Sequence, residues 1–230
     1  MTKTVIIVPY REREHQLDFF LKHSYPLISK HVSELEILIV EQTKGKPFNR
    51  GAVLNIGYKY YNVVEYDYVA QDVDHNPRDD RTACQYSEEI HDNKILGIVT
   101  CEEGLGTVVK HKGALLEKIN GYPNDYWGWG HEDANFENRC RFYDVDIDKR
   151  VVWGEHEKKN DLFIIYDDID DRERNNKYGS TYIGWKKKSD EQKKIEIFRT
   201  GLNTLKYNIL EEKQLFHNVK HILVDITQNH

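Results

Sequence analysis

The stretch Tyr66-Asp67-Tyr68-Val69-Ala70-Gln71-Asp72-Val73-Asp74-His75 decides the fold. Its first half is an aromatic and β-branched run suited to a strand, and its second half turns acidic at once. Side chains alternate along a strand, so Asp72 and Asp74 leave its carboxyl end on one side. Where strands alternate with helices, ligands sit at that end of the sheet. Two carboxylates there suit a hard divalent cation whose remaining ligands a diphosphate can supply. An imidazole from His156 or His75 would move the preference from Mg2+ towards Mn2+. The same pair also reads as a plain turn former.

Outward from this stretch, Val5-Ile6-Ile7-Val8, Glu36-Ile37-Leu38-Ile39-Val40 and Ile95-Leu96-Gly97-Ile98-Val99 read as further buried strands. Between them Leu17, Phe20, Leu21 and Ile28, and then Val53, Leu54, Gly57 and Tyr61, recur near helical spacing. Phe136, Cys140 and Tyr143 share one side of another helix, and Ile222-Leu223-Val224-Asp225-Ile226 closes the chain as a returning strand. The order predicts an α/β fold with a mixed, mostly parallel central sheet flanked by helices. Residues 157–194 turn strongly charged and read as a solvated excursion, or as a mobile lid beside a site.

A chain of 230 residues suffices for one domain with a real core, and residues 1–230 are read as one domain. The formal net charge of −6, from 33 basic and 39 acidic residues, argues against a nucleic-acid partner driven by bulk charge. Cys84, Cys101 and Cys140 show no CxxC spacing, so neither a zinc site nor a disulfide framework is implied. The apolar N-terminal run is too short for a signal peptide or a membrane span, and a soluble, cytoplasmic protein is expected.

A second chemical stretch is Tyr126-Trp127-Gly128-Trp129-Gly130-His131-Glu132-Asp133. The glycines allow unusual torsions, and the indoles offer flat faces for a sugar ring. Glu132 and Asp133 supply a hydroxyl-gripping acceptor and a base, or else merely cap the helix that follows. The helix dipole there favours an ionised Asp133. No Walker-type phosphate loop is present, and Gly104-Leu105-Gly106 reads as a loop. Phosphate charge would fall to arginines such as Arg11, Arg13 and Arg50, whose guanidinium groups fork onto oxygens.

These motifs, in this order, resemble the β-1,4-galactosyltransferase family (glycosyltransferase family 7). The likeness is carried by Ile7-Val8-Pro9-Tyr10-Arg11-Glu12-Arg13, by Phe48-Asn49-Arg50-Gly51-Ala52-Val53-Leu54-Asn55, and by Asp72-Val73-Asp74. It continues through Ile119-Asn120-Gly121-Tyr122-Pro123 into Tyr126-Trp127-Gly128-Trp129-Gly130, then Gly201-Leu202-Asn203-Thr204-Leu205 and Val224-Asp225-Ile226. The resemblance implies a single GT-A domain performing metal-dependent, inverting transfer of galactose or N-acetylgalactosamine from a UDP-sugar to a glycan or glycoside hydroxyl. The product would be β-linked, with β-1,4 the expected linkage.

By residue match, Asp74 and His156 would hold Mn2+, and Asp72 and Val73 would line the nucleotide and donor sugar. Pro9, Tyr10, Arg11 and Arg13 would hold the uridine and diphosphate, and Arg50 would reach the phosphate or sugar. Trp129 would lie between donor and acceptor, with Tyr126 and His131 on the acceptor side. Glu132 would grip donor hydroxyls and Asp133 would be the catalytic base.

The chain departs from the family pattern at Ala134 and Asn135, where acceptor-side carboxylates are missing, and at His131, where an imidazole has entered. Trp153 replaces a methionine that often ligates the metal. No aromatic stands near Gly104-Leu105-Gly106-Thr107, so a roomier donor pocket that takes an N-acetylated sugar is expected. The rival reading is a UDP-sugar or carbohydrate-binding protein that has lost transfer.

Overall fold

The computed structural model describes residues 2–128, 130–153, 162–165 and 184–227. The strand read from Val5-Ile6-Ile7-Val8 is β1 (Thr4–Tyr10), every residue of which is buried. It lies between β2 (Leu35–Gln42) and β3 (Asp67–Gln71), parallel to both, with Val5 opposite Glu36 and Tyr68. Among the described residues nine strands form one sheet, and eight of them follow the order β10-β11-β2-β1-β3-β6-β5-β7. Here β5 is Lys94–Cys101, β6 Gly104–Lys112, β7 Asp146–Lys149, β10 Tyr207–Phe216 and β11 Val219–Ile226. The ninth, β8 (Val152–Trp153), runs parallel to the end of β5. The pairings of β6 with β3 and β5, and of β10 with β11, are antiparallel; the others are parallel. The expected mixed, mostly parallel sheet is what forms.

Helices cover both faces, which explains why the central strands are apolar throughout instead of alternating. Val5 and Ile7 face one core with Leu38, Val40 and the helix α3 (Arg50–Tyr61). Ile6 and Val8 face the other with Ile37, Ile39, Phe20 and Ile28. Phe20 lies in a π-helical turn joining α1 (Glu14–Phe19) to α2 (Tyr25–Ser29). Each fully buried aliphatic side chain here stabilises the fold by about 1.5–3 kcal/mol. Gly57 lets α3 approach β1 closely, since a Cβ there would collide with the Ile7 side chain.

Helix α3 starts cleanly because the Asn49 side chain accepts from the Ala52 amide at 2.9 Å. It ends at Asn62, a left-handed residue with φ 54°. Short elements follow β3: β4 (His75–Pro77), then α4 (Asp80–Ala83). Before β7 come α5 (Gly113–Ile119) and α6 (Glu132–Phe142), which send Leu115, Leu116, Ile119 and Phe136 into the same core as α3.

Two elements differ from expectation. Residues 162–165, inside the charged 157–194 stretch, include β9 (Phe163–Ile165), which pairs antiparallel with β4 and buries Phe163. The rest of that stretch up to residue 183 lies outside the described residues. From residue 189 it is ordered by a capping box between Ser189 and Gln192 that opens α7 (Asp190–Arg199). The other is β10, a strand that no apolar run marks: it is an edge strand whose middle and end are exposed, with register shifts at Leu210 and Leu215. No helix among the described residues is long and apolar enough to cross a membrane.

Candidate active site

The carboxyl ends of β1 and β3 and the N-termini of α3 and α6 meet around a cavity of about 370 Å³. Pro9, Arg11, Arg13, Phe48, Arg50, Asp72, Val73, Asp74, Gly128 and Glu132 line it. The structure thus brings together residues spread over more than a hundred positions of sequence.

Arg50 sits at the centre. As the first residue of α3 it points into the cavity, where Nε donates to Asp72 Oδ1 at 2.8 Å. Its terminal nitrogen lies 3.6 Å from Glu132 Oε1. Both terminal nitrogens are buried, and neither makes a hydrogen bond. Burial works against the charge, but Asp72 and Glu132 outweigh it and raise the pKa above the ordinary arginine value. A buried guanidinium with unused donors is suited to an anionic oxygen such as that of a phosphate.

On the β3 side, Asp72, Asp74 and His75 present ligand atoms all within 4.8 Å of one another. Asp74 accepts from Arg13 at 2.5 Å, and its other oxygen lies 2.9 Å from His75 Nδ1. Burial alone would raise the Asp74 pKa, yet His75 and Arg13 hold it well below the usual carboxylate range. Two carboxylates with one imidazole fit a hard-to-borderline divalent cation. His156 lies outside the described residues; the imidazole that stands beside Asp74 is that of His75. Arg13, expected on the diphosphate, is joined to Asp74. Arg11 donates to the Lys46 carbonyl at 2.7 Å and stacks 5.2 Å from the Phe48 ring centre. Tyr10 is only 5% exposed and sits edge-on to His221, so it backs the cavity wall.

On the α6 side, the chain reaches the helix through a left-handed run: φ is 97° at Gly128, 118° at Gly130 and 70° at His131. Two of the three positions are glycine, which bears such torsions without steric cost. Helix α6 then begins at Glu132, which places Glu132 and Asp133 in its first turn as predicted. A helix N-terminus alone would lower their pKa values. Burial overrides it: Glu132 is pushed up to about 7 by burial and by Asp133, against the pull of Arg50. Asp133 is raised too, again chiefly by burial. Trp129, read as the donor–acceptor stacking residue, lies outside the described residues. Tyr126 is 4% exposed with its hydroxyl 3.2 Å from Asn135 Nδ2, so it braces α6 from behind.

Residues 104–107 are not a free loop but open β6, with Gly104 opposite Cys101. Asp133 packs against this segment, because Cβ atoms at Gly104 and Gly106 would stand 2.6 and 2.8 Å from Asp133 Oδ2. Burial, then Asp133, pushes the nearby Cys101 thiol up to about 12, so it is inert.

Several motif residues turn out to hold the site and not to form it. Asn55 and Tyr122 exchange backbone and side-chain hydrogen bonds at 2.7 and 2.9 Å. Asn120 donates to the Ile197 carbonyl and to Asn203 Oδ1, each at 2.8 Å. Arg139, 1% exposed on α6, donates to the carbonyls of Asn120, Gly121 and Thr200. Sequence reasoning missed Arg139; a charged residue one position from Cys140, on the inward side of a helix, was the available signal.

The sequence model for the N-terminal region of glycosyl transferase group 7 matches residues 1–86, and that for the N-terminal domain of galactosyltransferase matches residues 99–158. Human β-1,4-galactosyltransferase 6 is 32% identical over 152 residues, covering 63% of this chain and 40% of the relative. Mouse β-1,4-galactosyltransferase 2 is 27% identical over 241 residues, covering 97% of this chain and 59% of the relative. The chain therefore spans about two to three fifths of the length of these curated relatives. Among solved structures, a mutant Drosophila β-1,4-galactosyltransferase 7 in complex with manganese, UDP-Gal and xylobiose superposes with a TM-score of 0.78 at 21% identity. That match covers 100% of this chain and 96% of the other, and it shows a shared GT-A fold. On these matches, together with the order of its motifs, the chain belongs to the glycosyltransferase group 7 family.

Proposed function

We propose that this chain moves a hexose, galactose or N-acetylgalactosamine, from a UDP-sugar to a hydroxyl of a glycan or glycoside acceptor, with inversion and a β-linkage, β-1,4 by family likeness. The observation that carries the reading is Arg50. It joins the acidic cluster of β3 to the acidic first turn of α6 and keeps two buried nitrogens without hydrogen bonds. Nucleotide phosphates on one side and the sugar on the other match that division. Residues 1–230 are taken as one catalytic domain, and residues 157–194 as its lid.

Each residue has its own share of the chemistry. Arg50, with Arg11 and Arg13, holds the diphosphate and offsets the charge that grows on the departing UDP oxygen. Asp74 with His156 or His75 would hold a divalent cation, Mn2+ by ligand type, which would supply further Lewis-acid neutralisation of that leaving group. Pro9, Tyr10 and Val73 shape the nucleoside end, while Glu132 accepts hydrogen bonds from donor hydroxyls. Asp133 takes the proton of the acceptor hydroxyl as its oxygen forms a bond to C1, opposite the breaking bond to UDP. One displacement turns an α-linked donor into a β-linked product, without the covalent intermediate of retaining enzymes. Trp129 and His131 cover the acceptor side and exclude water.

The test is an acceptor array with UDP-galactose, UDP-N-acetylgalactosamine and UDP-glucose in the presence of Mn2+, followed by NMR of the product linkage. Acceptor-dependent release of UDP with a new β-linkage supports the proposal. Equal release without acceptor would make the protein a hydrolase. UDP-sugar binding without turnover across the array would favour the binding-protein reading.

A further inference from the structure

We propose that the first residues of β6 are a positioning element for Asp133, and that Gly104 and Gly106 set where the carboxylate stands in the site. The inference rests on the reading of Asp133 as the base and adds which residues place it.

Asp133 Oδ1 accepts from the amide of the next residue, Ala134, at 2.8 Å, a bond local to the start of α6. The opposite wall is β6. A Cβ at Gly104 would stand 2.6 Å from Asp133 Oδ2 and 2.8 Å from its carboxyl carbon, and one at Gly106 would stand 2.8 Å from Oδ2. Atoms cannot approach so closely, so the carboxylate rests where two side chains are missing. Neither glycine has a left-handed φ. The backbone does not need glycine at these positions; the carboxylate does.

The same segment is anchored to the other half of the site. Thr107 takes φ 65°, rare for a residue with a Cβ, and its carbonyl accepts from the Asp72 amide at 2.9 Å. Its hydroxyl donates to the Val99 carbonyl across the hairpin. Strain of this kind persists where surrounding bonds over-determine it. Three residues of β6 therefore meet the two acids: Thr107 reaches Asp72 through a backbone hydrogen bond, and Gly104 and Gly106 pack against Asp133. They fix the spacing between the phosphate-side acid and the base.

Gly104→Ala and Gly106→Ala test this, each alone and in an Asp133→Ala background. In the otherwise unaltered protein, each alanine should lower kcat on the order of 10²-fold, the usual result of moving a reacting group by about 1 Å. KM for the acceptor should shift with it, whereas UDP affinity measured by calorimetry stays unchanged. Each alanine should also lower Tm; once Asp133→Ala removes the opposing oxygen that loss should disappear at Gly106 and shrink at Gly104, where the Ala134 amide nitrogen 3.2 Å away still crowds the new Cβ. A normal kcat in a folded Gly106→Ala protein overturns the proposal, as does an equal Tm loss in both backgrounds. Insolubility in both backgrounds overturns it as well, because the space would then belong to something other than the carboxylate. If Asp133→Asn is itself fully active, the base assignment fails instead, and the Tm comparison still reports whether the glycines seat that side chain.

Discussion

The Arg50 guanidinium donates to the Asp72 carboxylate at 2.8 Å while its terminal nitrogens stay buried without hydrogen bonds. Arg50→Lys keeps the charge but loses the fork. Donor kcat/KM should fall on the order of tenfold, since one charge-assisted hydrogen bond is worth about 1.5 kcal/mol. Arg50→Met should in addition lower Tm, because Asp72 and Glu132 lose their shared cation. Donor kinetics beside a melting curve check both; unchanged donor kinetics in Arg50→Lys would remove Arg50 from phosphate binding.

Exhaustive chelation should abolish turnover, with Mn2+ restoring it better than Mg2+. Asp74→Ala should abolish metal-dependent UDP binding by calorimetry. Comparing His75→Ala with His156→Ala then identifies the nitrogen ligand: the variant that loses the preference for Mn2+ over Mg2+ has lost it.

The Glu132–Asp133 pair makes a stability prediction with a definite sign. Glu132 titrates near 7 in the fold against an ordinary value near 4.5, so between those values the folded chain holds a proton that the unfolded chain has released. The stabilisation is fully present below pH 4.5 and fades as pH rises towards 7, by about 1.4 kcal/mol for each pH unit crossed. Without metal or nucleotide, Tm should therefore fall across that window more steeply in the natural protein than in Glu132→Gln. Parallel curves would contradict the raised pKa.

Arg139 is predicted to matter for the fold before the chemistry. Arg139→Ala strands the Gly121 carbonyl at about 1–3 kcal/mol and takes one of two donors from the carbonyls of Asn120 and Thr200, which keep the Leu202 amide and Asn120 Nδ2, so Tm should drop beyond the response to a surface substitution. An unchanged Tm would mean that the turn at Asn120 and Gly121 is held by other bonds.

Much of the fold was legible because the central strands are covered on both faces. Val5-Ile6-Ile7-Val8 and Glu36-Ile37-Leu38-Ile39-Val40 are apolar for that reason, and an unbroken apolar run between turn signals is a strong strand mark. Strand β10 carries no such mark, since it is an exposed edge whose identity comes from pairing with β11. In the site, Arg50, Asp72, Asp74 and Glu132 were readable from motif order. Their mutual contacts were not, because an ion pair across 22 positions leaves no local pattern. Gly104-Leu105-Gly106 looked like a loop because glycine usually marks one. Here the missing side chains make room for Asp133, a tertiary cause that propensity does not record. That Tyr10 and Tyr126 are almost wholly buried was not legible either, since motif position fixes a backbone place and not the direction of a ring.

The central claim is that Asp133 removes the acceptor proton, and Asp133→Asn tests it most directly. The amide keeps the shape and most of the hydrogen bonding and cannot act as a base. With Asp133 as the base, kcat falls by roughly 10²–10⁴ while UDP-sugar affinity and Tm stay close to those of the natural protein. If Asp133 only caps α6, the substitution costs on the order of 1 kcal/mol of stability and turnover remains normal. A folded Asp133→Asn protein with undiminished kcat would contradict the mechanism.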